Sequence, residues 1–101
     1  METIKIYSPI NNEYIGEVEK MSKEDVDKKY IEARKSFIAW KSLSTVERAK
    51  YIYKAADELE KMKEEVADIM TREISKSYKD SLNEVERTVY LMKYSAEEGM
   101  R

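Results

Sequence analysis

The chain has 101 residues, 42% of them apolar, 40% charged and 10% aromatic, and its 19 basic and 21 acidic side chains leave a formal charge of −2. That length holds one domain at most; on compacting it would hide roughly 65% of its extended-chain surface, room for one modest core and not for a large enclosed active-site cavity. Lys28, Lys29, Lys61, Lys63 and Arg72 are each interleaved with acids, so no electropositive stripe appears and nucleic acid is not expected as a partner.

Cysteine and histidine are both absent. Their loss removes disulfides, a thiolate nucleophile, thiolate metal sites and the commonest general base, leaving carboxylates, lysines and tyrosines as the only acid–base groups. Met1 to Ile10 mixes Glu2 and Lys5 into a short apolar stretch with no basic leader. Nowhere do the roughly 20 consecutive apolar residues of a membrane span occur, so no membrane partner and a cytoplasmic location are expected.

In chain order, Ile4 and Ile6 alternate as one strand face, and Tyr14, Gly16 and Val18 mark a second run. The Ser8-Pro9-Ile10-Asn11-Asn12 segment between them carries turn chemistry, which predicts a hairpin over residues 1–20. A two-stranded hairpin is marginal in water and must lean on something.

A first helix is predicted from Ser22 as cap, with Asp25 closing a capping box and Met21 as hydrophobic staple. Val26, Tyr30, Ala33, Phe37 and Trp40 follow at spacings of four, three, four and three, a single stripe. Trp40 reads as the anchor at its end. Glu24 with Lys28 and Asp25 with Lys29 are the expected supporting pairs. The device repeats at Ser44 and Glu47, behind Leu43. Ala49, Ile52, Ala56, Leu59, Val66, Ile69 and Ile74 then trace one long stripe, with Met62 and Met70 filling gaps. Unbroken to Glu73, that helix would rise roughly 40 Å, too long for so small a chain to wrap. Ser75, Ser77 and Tyr78 interrupt it. Asp80 or Ser81 is the predicted cap of a third helix carrying Leu82, Val85, Val89, Met92 and Ala96, which Gly99 would end in left-handed geometry. The fold class expected is mainly α: a short N-terminal β-hairpin followed by three amphipathic helices, a single partial domain over 1–101 with residues 22–101 helical.

No chemical motif emerges. Gly16 and Gly99 stand alone and make no phosphate cradle, and the glutamates read as surface. Tyr51, Tyr53, Tyr90 and Tyr94 read first as half-buried residues with hydroxyls at the rim, and second as interface groups.

The order of these features resembles the amino-terminal segment of the aldehyde dehydrogenase superfamily, across nearly the whole chain. The opening IYSPINNEYIGEV is similar to that family's start. MSKEDVDKKYIEARKSFIAWKSLSTVERAKYIYKAADELE is similar to its first two helices, with an aromatic-x-x-Trp ending and a Ser-x-x-Glu-Arg restart. The stretch from Thr71 to Arg101 resembles most closely the branch of non-phosphorylating, NADP-dependent glyceraldehyde-3-phosphate dehydrogenases. Where many family members read Thr-x-Glu-Thr-Gly-Lys-Pro, Ser75 replaces the glycine and Ser77 the proline, Lys76 is retained, and the branch's EVxRT pattern stands as Glu84-Val85-Glu86-Arg87-Thr88.

The resemblance implies a much longer enzyme that oxidises an aldehyde by cysteine attack and hydride transfer to NAD or NADP. These helices would belong to its α/β cofactor-binding domain. By that reading the 101 residues are inert alone, with no catalytic, cofactor-binding or metal residue and no cofactor of their own. Their partners are the remainder of the parent enzyme or a second copy. The alternative is an independent helical interaction or oligomerisation module. Because the branch surrounds its substrate phosphate with arginines, Arg87 in EVERT and Arg101 after AEEGM are the substrate-binding candidates, against a structural role in surface ion pairs.

Overall fold

A computed structural model describes all of residues 1–101. Strands β1 (Thr3–Tyr7) and β2 (Tyr14–Glu19) are followed by helices α1 (Lys23–Ser42), α2 (Thr45–Lys61), α3 (Lys63–Ile74) and α4 (Tyr78–Gly99). The chain is mainly α with an N-terminal hairpin, as its patterning suggests, but it has four helices and not three. The long helix predicted to Glu73 breaks at Met62, whose φ −100° and ψ 6° open the helical path. No glycine or proline marks the break. Its cause is tertiary: α2 and α3 both pack against α4, and a turn between them lets each lie along the same partner, overriding a continuous local preference for helix.

The hairpin is antiparallel, pairing Ile4 with Val18 and Ile6 with Gly16, with Ile15 as the extra residue of a bulge before Tyr7 meets Tyr14. Its turn is closed by Ser8 N–H donating to the Glu13 carbonyl at 2.8 Å and Asn12 N–H to the Ser8 carbonyl at 2.9 Å. Asn12 sits at φ 61°, a region asparagine tolerates.

Both predicted capping boxes form. Ser22 Oγ accepts from Asp25 N–H and Ser44 Oγ from Glu47 N–H, each at 3.1 Å, while the two carboxylates accept from the cap amides. The cap of α4 is neither Asp80 nor Ser81 but Ser77, whose hydroxyl accepts from Asp80 N–H at 3.1 Å. The helix starts early enough to make Ser81 a core position, where its hydroxyl meets that of Thr71 from α3 at 3.1 Å. Gly99 is the last residue of α4 and takes no left-handed conformation; Met100, at φ −82° and ψ −14°, continues the helical path. The left-handed cap is instead Ser75, at φ 61° and ψ 22°, ending α3. On α1 the ion pair is Lys29 with Glu32 at 3.9 Å, in place of the two pairs expected.

The core is thin and built of small side chains: Ala49 and Ala56 of α2, Ala67 of α3, and Ser81, Val85, Val89 and Ala96 of α4. Ile52, Leu59 and Val66 are half-buried, and Ile69 and Ile74 are exposed. No residue of α1 is buried. The molecule is a plate of 48 × 38 × 16 Å with a radius of gyration of 17.4 Å, against about 13 Å for a compact chain of this length. Its accessible surface is 8137 Å², where a compact protein of this mass exposes about 6,000 Å².

Ser75 holds a conformation that costs a side-chain-bearing residue about 1–2 kcal/mol and a glycine nothing. Ser75→Gly should therefore stabilise the chain by about 0.5–1 kcal/mol, after the glycine's larger unfolded-state entropy is subtracted; urea unfolding followed by circular dichroism measures it.

Candidate substrate-binding site

Arg87 lies on helix α4 and Arg101 two residues beyond its end. Arg87 lies mid-helix on the exposed side, facing away from the buried row Ser81, Val85 and Val89. It lines an open depression of about 640 Å³ with Lys76, Asp80, Asn83, Glu84 and Thr88. Lys76 is held by the carboxylate of Glu84, and no acidic group lies within ion-pair distance of Arg87, so its guanidinium is free to take an anion. Arg101 follows the end of α4, its Nε 3.8 Å from Glu98 Oε1 and its side chain 82% exposed. A pair so open to water holds the guanidinium weakly.

The structure does not bring these arginines together. Arg87 stands twelve residues before Gly99, the last residue of α4, which alone places it about 18 Å along the axis from the helix end that Arg101 follows. One phosphate group therefore meets Arg87 or Arg101, not both. Between them on the same side stand Tyr90 and Tyr94, both exposed and stacked with ring centroids 6.4 Å apart.

The remaining polar groups tie helices to one another. Lys93 of α4 meets Asp57 of α2 at 2.9 Å, and Lys63 of α3 sits between Glu60 at 3.2 Å and Glu86 of α4 at 3.4 Å. Those hydrogen bonds raise the Lys63 pKa. Tyr53 of α2 donates its hydroxyl to Glu97 of α4, and that hydrogen bond is the main reason its pKa is raised. Arg48 Nη1 donates to the carbonyls of Lys41 at 3.4 Å and Leu43 at 3.2 Å, occupying acceptors left open where α1 ends. This arginine belongs to the Ser-x-x-Glu-Arg restart, so the motif was visible in the sequence while its task was not. Trp40 anchors the same corner, 5.6 Å from the Tyr51 ring. Beside it a cleft of about 560 Å³, lined chiefly by Trp40, Ile52, Leu91, Met92, Ala96 and Gly99, is mostly apolar. It offers surface for packing and no convergent acid, base or nucleophile.

The residues present do not fit a dinucleotide. Gly16 lies in β2 and Gly99 ends α4; neither belongs to the glycine-rich turn before a helix that cradles a pyrophosphate. No group of three or more acidic side chains is placed to hold a metal ion, and no helix is long and apolar enough to cross a membrane.

The helices form a thin layer beside a hairpin, joined by polar clamps and leaving most of their large apolar side chains uncovered. The aldehyde dehydrogenase family matches residues 1–101. The NADP-dependent glyceraldehyde-3-phosphate dehydrogenase of Streptococcus equinus is 46% identical over 100 residues, covering 99% of this chain and 21% of that protein. The alpha-ketoglutaric semialdehyde dehydrogenase of Bacillus subtilis is 35% identical over 101 residues, again 99% against 21%. Among solved structures, NADP-dependent glyceraldehyde-3-phosphate dehydrogenase from Bacillus halodurans, complexed with NADP, superposes with a TM-score of 0.97 at 30% identity, over 99% of this chain and 21% of that one. The chain belongs to the aldehyde dehydrogenase family. It corresponds to the N-terminal part of those enzymes and spans about a fifth of the length of the relatives it matches.

Because the folded state raises the Tyr53 pKa above its ordinary value of 10.0, this phenol binds its proton more tightly when folded. The stabilisation is complete below the unfolded pKa and is lost as pH rises through the folded one. Tyr53→Phe should therefore flatten the fall of thermal stability above about pH 10, leaving the pH dependence between about 6 and 8 unchanged; melting curves across that range check it.

Proposed function

We propose that these 101 residues form the N-terminal layer of the cofactor-binding domain of an NAD(P)-dependent aldehyde dehydrogenase, whose whole oxidises an aldehyde to its acid, with glyceraldehyde 3-phosphate as the favoured substrate. The observation that carries the reading is the near-complete superposition on the NADP-complexed enzyme of Bacillus halodurans, supported by 46% identity to the streptococcal relative of the same name.

The chemistry divides accordingly. Oxidation by this route needs a thiolate to form a thiohemiacetal before hydride leaves, and the chain has no cysteine. It is inert alone, and its contribution is architectural: α2 and α3 held by α4, with a hairpin and α1 offered to the rest of the fold. The nicotinamide cofactor, which accepts the hydride when bound, would be held by residues other than these. The working location is the cytoplasm, in keeping with a chain that has no membrane-spanning helix.

Within this reading Arg87 and Arg101 are substrate-binding candidates, and their separation makes them exclusive. A guanidinium presents a planar fork to phosphate oxygens, and removal of one charge-assisted contact costs about 1.5–3 kcal/mol, roughly 10- to 150-fold in affinity. In the full-length enzyme, replacing by alanine the arginine that meets the phosphate should raise KM for the phosphorylated aldehyde by about that factor. Turnover of an unphosphorylated aldehyde should be unaffected, and the other replacement silent. If both replacements leave KM unchanged, the two arginines are surface groups and the substrate proposal fails.

A further inference from the structure

Arg87 has one natural acidic partner on its own helix. Side chains three and four positions apart meet on a helix surface, and of the residues so placed Asn83, Tyr90 and Leu91 carry no charge, whereas Glu84 does. Glu84 in turn finds Asp80, Ser81 and Thr88 at those spacings, and Arg87 as its one cation. An acid ahead of a base is also the favourable order. Local preference alone would therefore join Glu84 to Arg87 and cancel the guanidinium's charge.

The structure makes a different pair. Glu84 Oε2 is held by Lys76 Nζ, and Arg87 has no acid of this chain within ion-pair distance. Lys76 comes from outside the helix. Ser75, at φ 61°, ends α3 and Ser77 caps α4, so the lysine between them stands on the turn that leads into α4. There it meets a carboxylate that Asp80, one turn earlier and lining the same depression, repels as a like charge. Lys76 and Glu84 keep 36% and 50% of their side-chain surface in water. Each pairing of this carboxylate is thus a surface pairing of modest strength, and a single substitution can redirect it.

We infer that Lys76 is a positioning residue: by holding Glu84 it keeps Arg87 unpaired for the phosphate group of the substrate. Two cations compete for one carboxylate, and the loser binds the anion. This rests on the substrate role proposed above for Arg87, and the competition involves three residues of this chain only.

Steady-state kinetics of the full-length enzyme test it, with a phosphorylated and an unphosphorylated aldehyde compared for each variant. Lys76→Met releases Glu84 to Arg87, and KM for the phosphorylated aldehyde should rise about two- to fivefold, the worth of an exposed ion pair, while kcat holds. Lys76→Arg keeps the hold on Glu84 and should behave as the parent enzyme. Glu84→Gln added to Lys76→Met removes the competitor and should bring KM back. In an Arg87→Ala background Lys76→Met should change nothing, because its effect travels through Arg87. If Arg87→Ala raises KM and Lys76→Met does not, the inference is overturned and the role of Arg87 stands. An effect of Lys76→Met that persists in the Arg87→Ala background overturns it as well, for the lysine would then act on the phosphate itself. So does an effect that Glu84→Gln fails to relieve, or one that falls equally on the unphosphorylated aldehyde, either of which marks a structural role. Arg87→Ala without effect defeats the role of Arg87 and this inference with it.

Discussion

The helical core of this chain depends on the close approach of α4 to α2 and α3 through side chains no larger than valine. Ala49, Ala56, Ala67, Ser81, Val85, Val89 and Ala96 are the buried residues, and small residues let helix axes draw toward the short end of the usual 8–10 Å range. The gain per residue is small, because an alanine methyl removes little apolar area from water. What the seam supplies is dispersion contact along two helices at once, with no buried polar side chain left unpaired. The break at Met62 follows from this requirement: it turns one long helix into two that share α4. The bonds at the rim, Tyr53 with Glu97, Lys93 with Asp57 and Lys63 with Glu86, fix the register of helices whose smooth faces would otherwise slide.

The larger apolar side chains are the ones this core does not use. Ile4, Val26, Tyr30, Ile31, Phe37, Ile38 and Ile74 are all exposed, although a chain seeking the deepest burial for itself would place them inside. Ile31 and Ile38 lie more than 100° around α1 from the Val26 seam, so this helix is apolar on two sides, the pattern of an element enclosed between neighbours. The plate-like shape and the distribution of side chains agree: the small residues join helix to helix within the layer, and the large ones face outward to whatever covers it.

Local signals carried much of the fold in readable form. Both Ser-x-x-acid caps were legible because a capping box is written in four consecutive residues, and the hairpin because Pro9, Asn11 and Asn12 sit between alternating runs. The fourth helix was not legible: a helix break made by competition for a common partner leaves no glycine or proline, and the stripe through Met62 has the right period on both sides. Ser77 was passed over as cap because Asp80 and Ser81 offered the same chemistry; only burial against Thr71 shows why Ser81 is needed elsewhere. At Ser75 the left-handed conformation was not legible, because the sequence offered Gly99 as the residue suited to it and a serine does not announce a positive φ. The arginines were legible as residue types in a motif, but their separation along α4 is a property of the helix that no motif states.

Helices α2, α3 and α4 form the self-sufficient part of the chain, while α1 and the hairpin keep faces for something else. Native-state hydrogen exchange on the chain, at a dilution where it is monomeric, tests this most directly. The account predicts the slowest amides between Ser81 and Ala96 and on the facing turns of α2 and α3, with α1 and both strands exchanging at least about a hundredfold faster through local opening. Amides of α1 protected as strongly as those of α4 would contradict it, for they would show a core that includes the helix this structure leaves open on every side.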